Sequence, residues 1–266
     1  MQSIRKYIRV YIFQTRIAFK LLGMFRINAI GMMLSTTLWS LLIFSTIFLT
    51  TRNVRTVFGY TPNELLALGA VQVVFLGFFH TIFAKNMDRL PEVINRGQLD
   101  SILLKPMDDQ YSISFGLVYP STLVRVVIGA LALTYLALSG LIVVPSVWNI
   151  FFFFGLLTAS ELLIYSVWFM IATSLIWFPT MENIIELLYN FNMSSRYPYE
   201  FYREIGIAVA LLTFPFSIAL MIPLKALMGR ATVGEICTLL ISTVIFLFLS
   251  RKLWKWSLRH YTSASN

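Results

Sequence analysis

KNMDRLPEVINRGQLDSILLKPMDDQYS, residues 85–112, is the longest polar interruption in an otherwise apolar chain. It carries five of the twelve acidic residues (Asp88, Glu92, Asp100, Asp108 and Asp109) together with the basic Lys85, Arg89, Arg96 and Lys105. Long apolar runs press on it from both sides. Residues 90–94 and 99–104 each read as a short amphipathic helix. Arg96-Gly97 lies between them, where glycine permits the left-handed turn that ends a helix, and Pro106 stops the second. Two short helices with apolar faces have to bury those faces somewhere. The stretch is therefore expected to be where a membrane-embedded body is gripped by something soluble.

The flanking composition supports a membrane body. Of 266 residues, 58% are hydrophobic and 12% charged, and the mean hydropathy is +0.77. Soluble domains carry roughly twice that charge. Runs of about 20 apolar residues, enough to cross a bilayer, recur several times. The chain is read as an all-α integral membrane protein, one transmembrane domain over 1–266, with about six membrane helices. The net charge of +9 reflects cations gathered at the cytoplasmic face; no nucleic-acid motif accompanies it. A single cysteine, Cys237, excludes an internal disulfide and a cysteine metal cluster. His80 and His260 lack ligand-like spacing, so no metal site is expected. The basic N-terminus has no cleavage site after a short apolar core, and no cleavable signal peptide is expected.

Working outward, residues 1–22 form a basic amphipathic helix. Gln2, Arg5, Arg9, Arg16 and Lys20 fall on one stripe, and Ile4, Ile8, Ile12, Phe19 and Leu22 on a separate face. Such a helix lies in the headgroup plane. Spans are expected over 27–50, from Thr61-Pro62 to 84, over 114–138, over 146–177, and over 236–249 before the basic, aromatic stop Arg251-Lys252-Leu253-Trp254-Lys255-Trp256. Arg52 and Arg55 sit in an outer loop, and Ser139-Gly140 with Pro145 in an outer turn. The segment after Trp177 is ambiguous. Either 178–195 is an inside loop and 205–224 the fifth span, or 178–195 is a polar fifth span and 205–228, broken by Pro215 and Pro223, an outer re-entrant hairpin. Either way both termini fall inside, with most of the 21 Lys and Arg.

No G-x-S-x-G, H-E-x-x-H or Cys-His cluster is present, and no catalytic residue is assigned. Ionisable groups inside spans are costly and need partners or water. Arg125 in the third span and Glu161 in the fourth fall within about two helical turns of the same depth. They are expected to pair; otherwise Glu161 faces a substrate path or relays protons. Glu182, Glu186 and Asn190 share one helical face, which lines a translocation route or is a solvated inside helix.

The motif Arg96-Gly97-Gln98-Leu99-Asp100-Ser101-Ile102-Leu103-Leu104-Lys105-Pro106, after a basic helix and two spans and before the remaining spans, resembles the membrane subunit of ABC-2-type ATP-binding-cassette exporters. It is closest to an uncharacterised ABC permease family that pairs with a second permease and a separate ATPase. Arg196-Tyr197-Pro198, Phe214-Pro215-Phe216 on to Pro223, and Tyr261-Thr262-Ser263-Ala264 match that family's rhythm. The resemblance implies a coupling helix at Arg96, Gly97, Leu99, Asp100, Ile102, Leu103, Lys105 and Pro106. Leu99, Ile102 and Leu103 would fill an ATPase groove, and Arg96, Asp100 and Lys105 would fix register. It also favours the hairpin over 205–228. It implies a multi-pass protein of a bacterial cytoplasmic membrane, a homo- or heterodimer of permeases among membrane lipid, and a pair of ABC ATPase subunits that bind ATP and magnesium. No G-x-x-x-x-G-K-[ST] is present, and no cofactor is expected on this chain. The alternative is a stand-alone ion- or proton-coupled carrier using Glu161; a non-transporting scaffold is a third reading.

Overall fold

A computed structural model describes residues 2–178, 183–195 and 197–261, and for 2–4, 194 and 211 the backbone alone. The described residues carry no named strand. The helices are α1 (Gln2–Met24), α2 (Arg26–Thr51), α3 (Pro62–Phe79), α4 (Lys85–Asp88), α5 (Leu90–Asn95), α6 (Leu99–Leu103), α7 (Asp109–Ser114), α8 (Leu123–Leu138), α9 (Val147–Thr173), α10 (Ile184–Ser194), α11 (Tyr199–Ile205), α12 (Ile207–Leu227) and α13 (Val233–Ser257). A π-helical turn, His80–Ala84, joins α3 to α4.

Among the described residues, five stretches are long and apolar enough to cross a membrane: Arg26–Thr51, Pro62–Asn95, Pro120–Leu138, Val147–Ile176 and Val233–Ser257. Their ends follow local chemistry. The Thr61 hydroxyl accepts from the Glu64 N–H, and the Glu64 carboxylate accepts from the Thr61 N–H, with Pro62 at the first helical position. Thr232 and Glu235 repeat this capping box on α13. The second span runs past the expected Ala84 to Asn95, because the π turn continues the helix instead of ending it. The third starts at Pro120 and not near Ser114. The backbone N–H and C=O of Leu117 are taken by the Asn86 side chain, at 2.8 Å each, in place of a helical ladder.

The segment after Trp177 departs from the first expectation at 178–195, where a helix stands in place of a loop, and from the second at 205–228, where one helix stands in place of a hairpin. Residues 179–182, with Glu182, lie outside the described residues, as does Arg196 of the Arg196-Tyr197-Pro198 motif. Helix α10 has 11 residues, about half a crossing. Over 205–228, where a hairpin is expected, a single helix, α12, runs through Pro215 and Pro223. Transmembrane helices tolerate proline where neighbours re-satisfy the backbone. Separately from the carbonyls that the prolines leave free, the Thr213 and Ser217 hydroxyls donate back one turn to the carbonyls of Val209 and Thr213.

Helix α9 lies against both α12 and α13, and α3 against α2 and α8. The α3–α8 crossing is close because two glycines face the opposite backbone. A Cβ at Gly129 would meet the Ala70 carbonyl at 2.7 Å, and one at Gly77 the Val126 nitrogen at 2.8 Å. Small residues let membrane helices approach in this way. The molecule thus has two polar ends. At one, Arg230 bonds Glu64 and Lys225 bonds Glu235, both at 2.6 Å. At the other, α1, the polar loop and the last turns of α13 meet.

Candidate functional site: a braced loop and an intramembrane cavity

The polar loop is held at its roots by three parts of the chain. The Asn86 amide donates to the carbonyls of Ile82 (2.7 Å) and Leu117 and accepts from the Leu117 N–H, tying α4 to the turn before α8. From α1, Lys6 Nζ donates to the Pro106 carbonyl at 2.6 Å, and the Tyr7 hydroxyl accepts from the Asp108 N–H at 3.1 Å. Tyr111 returns its own hydroxyl to the Tyr7 carbonyl at 2.9 Å. From α13, the Arg251 guanidinium forks onto both carboxylate oxygens of Asp108. It also reaches Gln110 Oε1 at 3.1 Å and Asp109 at 3.4 Å. A charge-assisted fork of this kind fixes direction as well as distance.

At the tip, Gly97 has φ of +66°, the left-handed turn that separates α5 from α6. The side chains distribute differently from expectation. Leu99, expected to fill a partner's groove, is 0% exposed and packs in this chain's own core with Leu90 and Ile94. Ile102 is half-buried against the same core. Apolar area left outside comes from Leu103 and above all Leu104, 86% exposed, a residue absent from the expected set. Arg96 and Lys105 are exposed, and Arg96 pairs with Glu92 one turn earlier at 3.0 Å. Both partners are solvated, so the pair contributes little to stability. Asp100 faces the tail: burial, and after it the nearby Asp100 carboxylate, raises the Tyr261 hydroxyl above its ordinary pKa. Thr262, Ser263 and Ala264, which complete the tail motif, lie outside the described residues.

Within the membrane thickness the expected pair does not form. Arg125 Nη1 lies 3.2 Å from His80 Nδ1. Glu161 is 8% exposed, and neither of its carboxylate oxygens has a hydrogen-bond partner. Counting rise along two helices gives a shared depth, but the rotation of each helix about its axis decides which neighbour a side chain meets. Helix α8 turns Arg125 towards the π turn after α3. Helix α9 puts Tyr165 and Trp168, one and two turns beyond Glu161, against Phe83 and Phe79.

A cavity of about 410 Å³ opens between α2, α3, α8 and α10. Arg125, Glu186 and Asn190 line it together with Gln72, His80 and Tyr189. Of the expected intramembrane set, Arg125, Glu186 and Asn190 are therefore brought together and Glu161 is not. Gln72 and His80 are residues that the sequence reading missed. Their signal was present: two non-hydroxyl polar side chains, two turns apart, in the otherwise apolar run 65–84. The Tyr189 hydroxyl donates to Asp88 at 2.9 Å, and Asp88 pairs with Lys85 at 3.2 Å. The cavity wall is thus bonded directly to α4, the root of the loop.

No curated protein and no solved structure matches this chain. One family does: residues 34–265 match the model described as ABC-2 family transporter protein. With a multi-pass array of apolar helices and a match over most of its length, the chain belongs to the ABC-2 transporter family and is a membrane permease component, not a catalytic one.

Proposed function

We propose that this chain is one permease half of an ABC exporter in a bacterial cytoplasmic membrane, paired with a second permease and driven by two ATPase subunits that bind ATP and magnesium. Both termini and the polar loop face the cytosol, where the excess of Lys and Arg belongs. The loop tip, Arg96 to Pro106, seats in the ATPase. The observation that carries this reading is Leu104, with Leu103 beside it, held outside on a loop whose roots are bonded to α1, to α13 and, through Asn86, to the turn before α8. A lever needs that combination: fixed where it joins the bundle, sticky where it meets the motor. Closure of the ATPase pair would push the tip, and α4 would pass the displacement to α10 through Asp88 and Tyr189.

The test is a purified complex with its ATPase in proteoliposomes. Leu104→Glu is expected to leave membrane insertion intact while ATP hydrolysis loses its coupling to export. Arg96→Glu is expected to do the same more weakly. Export at the wild-type rate by Leu104→Glu would overturn the assignment of the loop tip as the ATPase contact.

A second reading is favoured by one observation. Glu161 is a buried carboxyl with neither oxygen bonded, the kind of group a proton-coupled carrier uses. On the exporter reading Glu161→Gln transports normally. Loss of transport in Glu161→Gln, with ATP hydrolysis irrelevant to the flux, would favour the carrier.

A further inference from the structure

We propose that the cavity between α2, α3, α8 and α10 binds the anionic head group, a phosphate or carboxylate, of an amphipathic molecule, with Arg125 as its counter-ion. This inference rests on the permease reading and names the class of molecule that its wall would receive.

Arg125 is the first ground. Among the described residues no carboxylate pairs with it, and its guanidinium bonds His80. A guanidinium within the thickness of a bilayer is costly without a counter-charge. It is also the only cation among the described residues that line the cavity. Glu186 sits at the exposed rim and is not ion-paired with it. A carboxylate at the rim repels an anion, so the attraction has to come from the Arg125 guanidinium further in.

The balance of donors and acceptors is the second ground. His80 receives the Arg125 N–H at Nδ1, which leaves its Nε2 to carry the proton, and that Nε2 is buried with no acceptor. Asn192 Nδ2 is a second buried donor with no acceptor. Against them stands one unpartnered acceptor, Gln72 Oε1, whose amide nitrogen already donates to Ser195 Oγ at 3.1 Å. All three residues belong to the cavity wall. A wall with a cation and the unpartnered His80 N–H suits a ligand rich in acceptors and negative charge.

The shape is the third ground. The volume falls within the roughly 300–1,000 Å³ range of small-molecule sites. The cavity opens sideways past Trp39, 51% exposed, and Met193, both of which present apolar surface at the mouth. A head group can sit on Arg125 while its chain leaves along those two side chains into the bilayer.

The test uses the detergent-purified chain and two probes with identical acyl chains, phosphatidic acid and phosphatidylcholine, with bound lipid read by native mass spectrometry. Wild type is expected to hold phosphatidic acid at least about tenfold more tightly, the scale of one charge-assisted contact. Arg125→Gln removes that preference, and Arg125→Lys keeps most of it. Met193→Trp, which leaves the guanidinium intact and fills the mouth, weakens phosphatidic acid binding even if Arg125→Gln fails to fold. Inorganic phosphate as competitor separates the sources: displacement assigns recognition to the head group alone, and no displacement assigns it to the bilayer amphiphile. Equal binding of the two lipids, or an undiminished preference in both Arg125→Gln and Met193→Trp, overturns the proposal and traces the attraction to the basic face of α1. The readout needs no ATPase. Failure here leaves the exporter reading standing, and a Leu104→Glu protein that exports normally yet binds phosphatidic acid sinks only the coupling assignment.

Discussion

The roots and the tip of the 85–112 loop are built from similar residues and behave oppositely. At the roots, Asn86, Asp108 and Tyr111 have polar atoms bonded within the chain, across 31 to 143 residues of sequence. At the tip, Arg96, Leu104 and Lys105 point outward, and Arg96 pairs with its own neighbour Glu92. Polar residues in a loop are thus of two kinds, those that fix its position and those left for another molecule. Sequence composition does not separate them; bonding does.

The contrast can be broken most forcefully at Asn86. Asn86→Leu removes three hydrogen bonds and leaves the Leu117 N–H and C=O without their partner. A loss of about 3 kcal/mol is expected, at about 1 kcal/mol net per bond, read as a lower melting temperature in detergent. Unchanged melting would mean that the root is not a root. Next is Arg251→Gln, which severs α13 from Asp108 and Asp109. These side chains are about a third exposed, so solvent screening limits the loss to about 1 kcal/mol. The sharper readout is limited proteolysis within 105–110, which is expected to accelerate. Tyr7→Phe takes away the acceptor for the Asp108 N–H and should cost about 0.5–1 kcal/mol. The smallest stability effect is predicted at the tip. Leu104→Glu should change melting by no more than about 0.5 kcal/mol equivalent, as surface substitutions do, while coupling is lost. If Leu104→Glu destabilised the chain as much as Asn86→Leu, roots and tip would be one packed unit, and the lever would have no free end.

The same division separates the two ionisable groups inside the bundle. Arg125 and Glu161 looked alike in the sequence, each a charge in an apolar run and each at similar depth. Arg125 opens onto a cavity beside His80 and Tyr189, whereas Glu161 is enclosed. Tyr189 was hidden among the mixed polar and aromatic residues of 181–204. Only its bond to Asp88, 101 residues away, gives it a place between the cavity and the loop.

What the sequence determined by itself is what local chemistry fixes. The length of each apolar run, the caps Thr61 and Thr232 and the turn at Gly97 all follow from neighbours a few residues apart, and they suffice for an all-α membrane protein; that it is a permease rests on the family match. What the tertiary structure decided is which face each helix turns inward. The burial of Leu99 and exposure of Leu104, the partner of Arg125, the seclusion of Glu161 and the passage of α12 through two prolines all depend on contacts between segments distant in the chain. Helical period sets the spacing of a face; only packing against a neighbour sets where that face points.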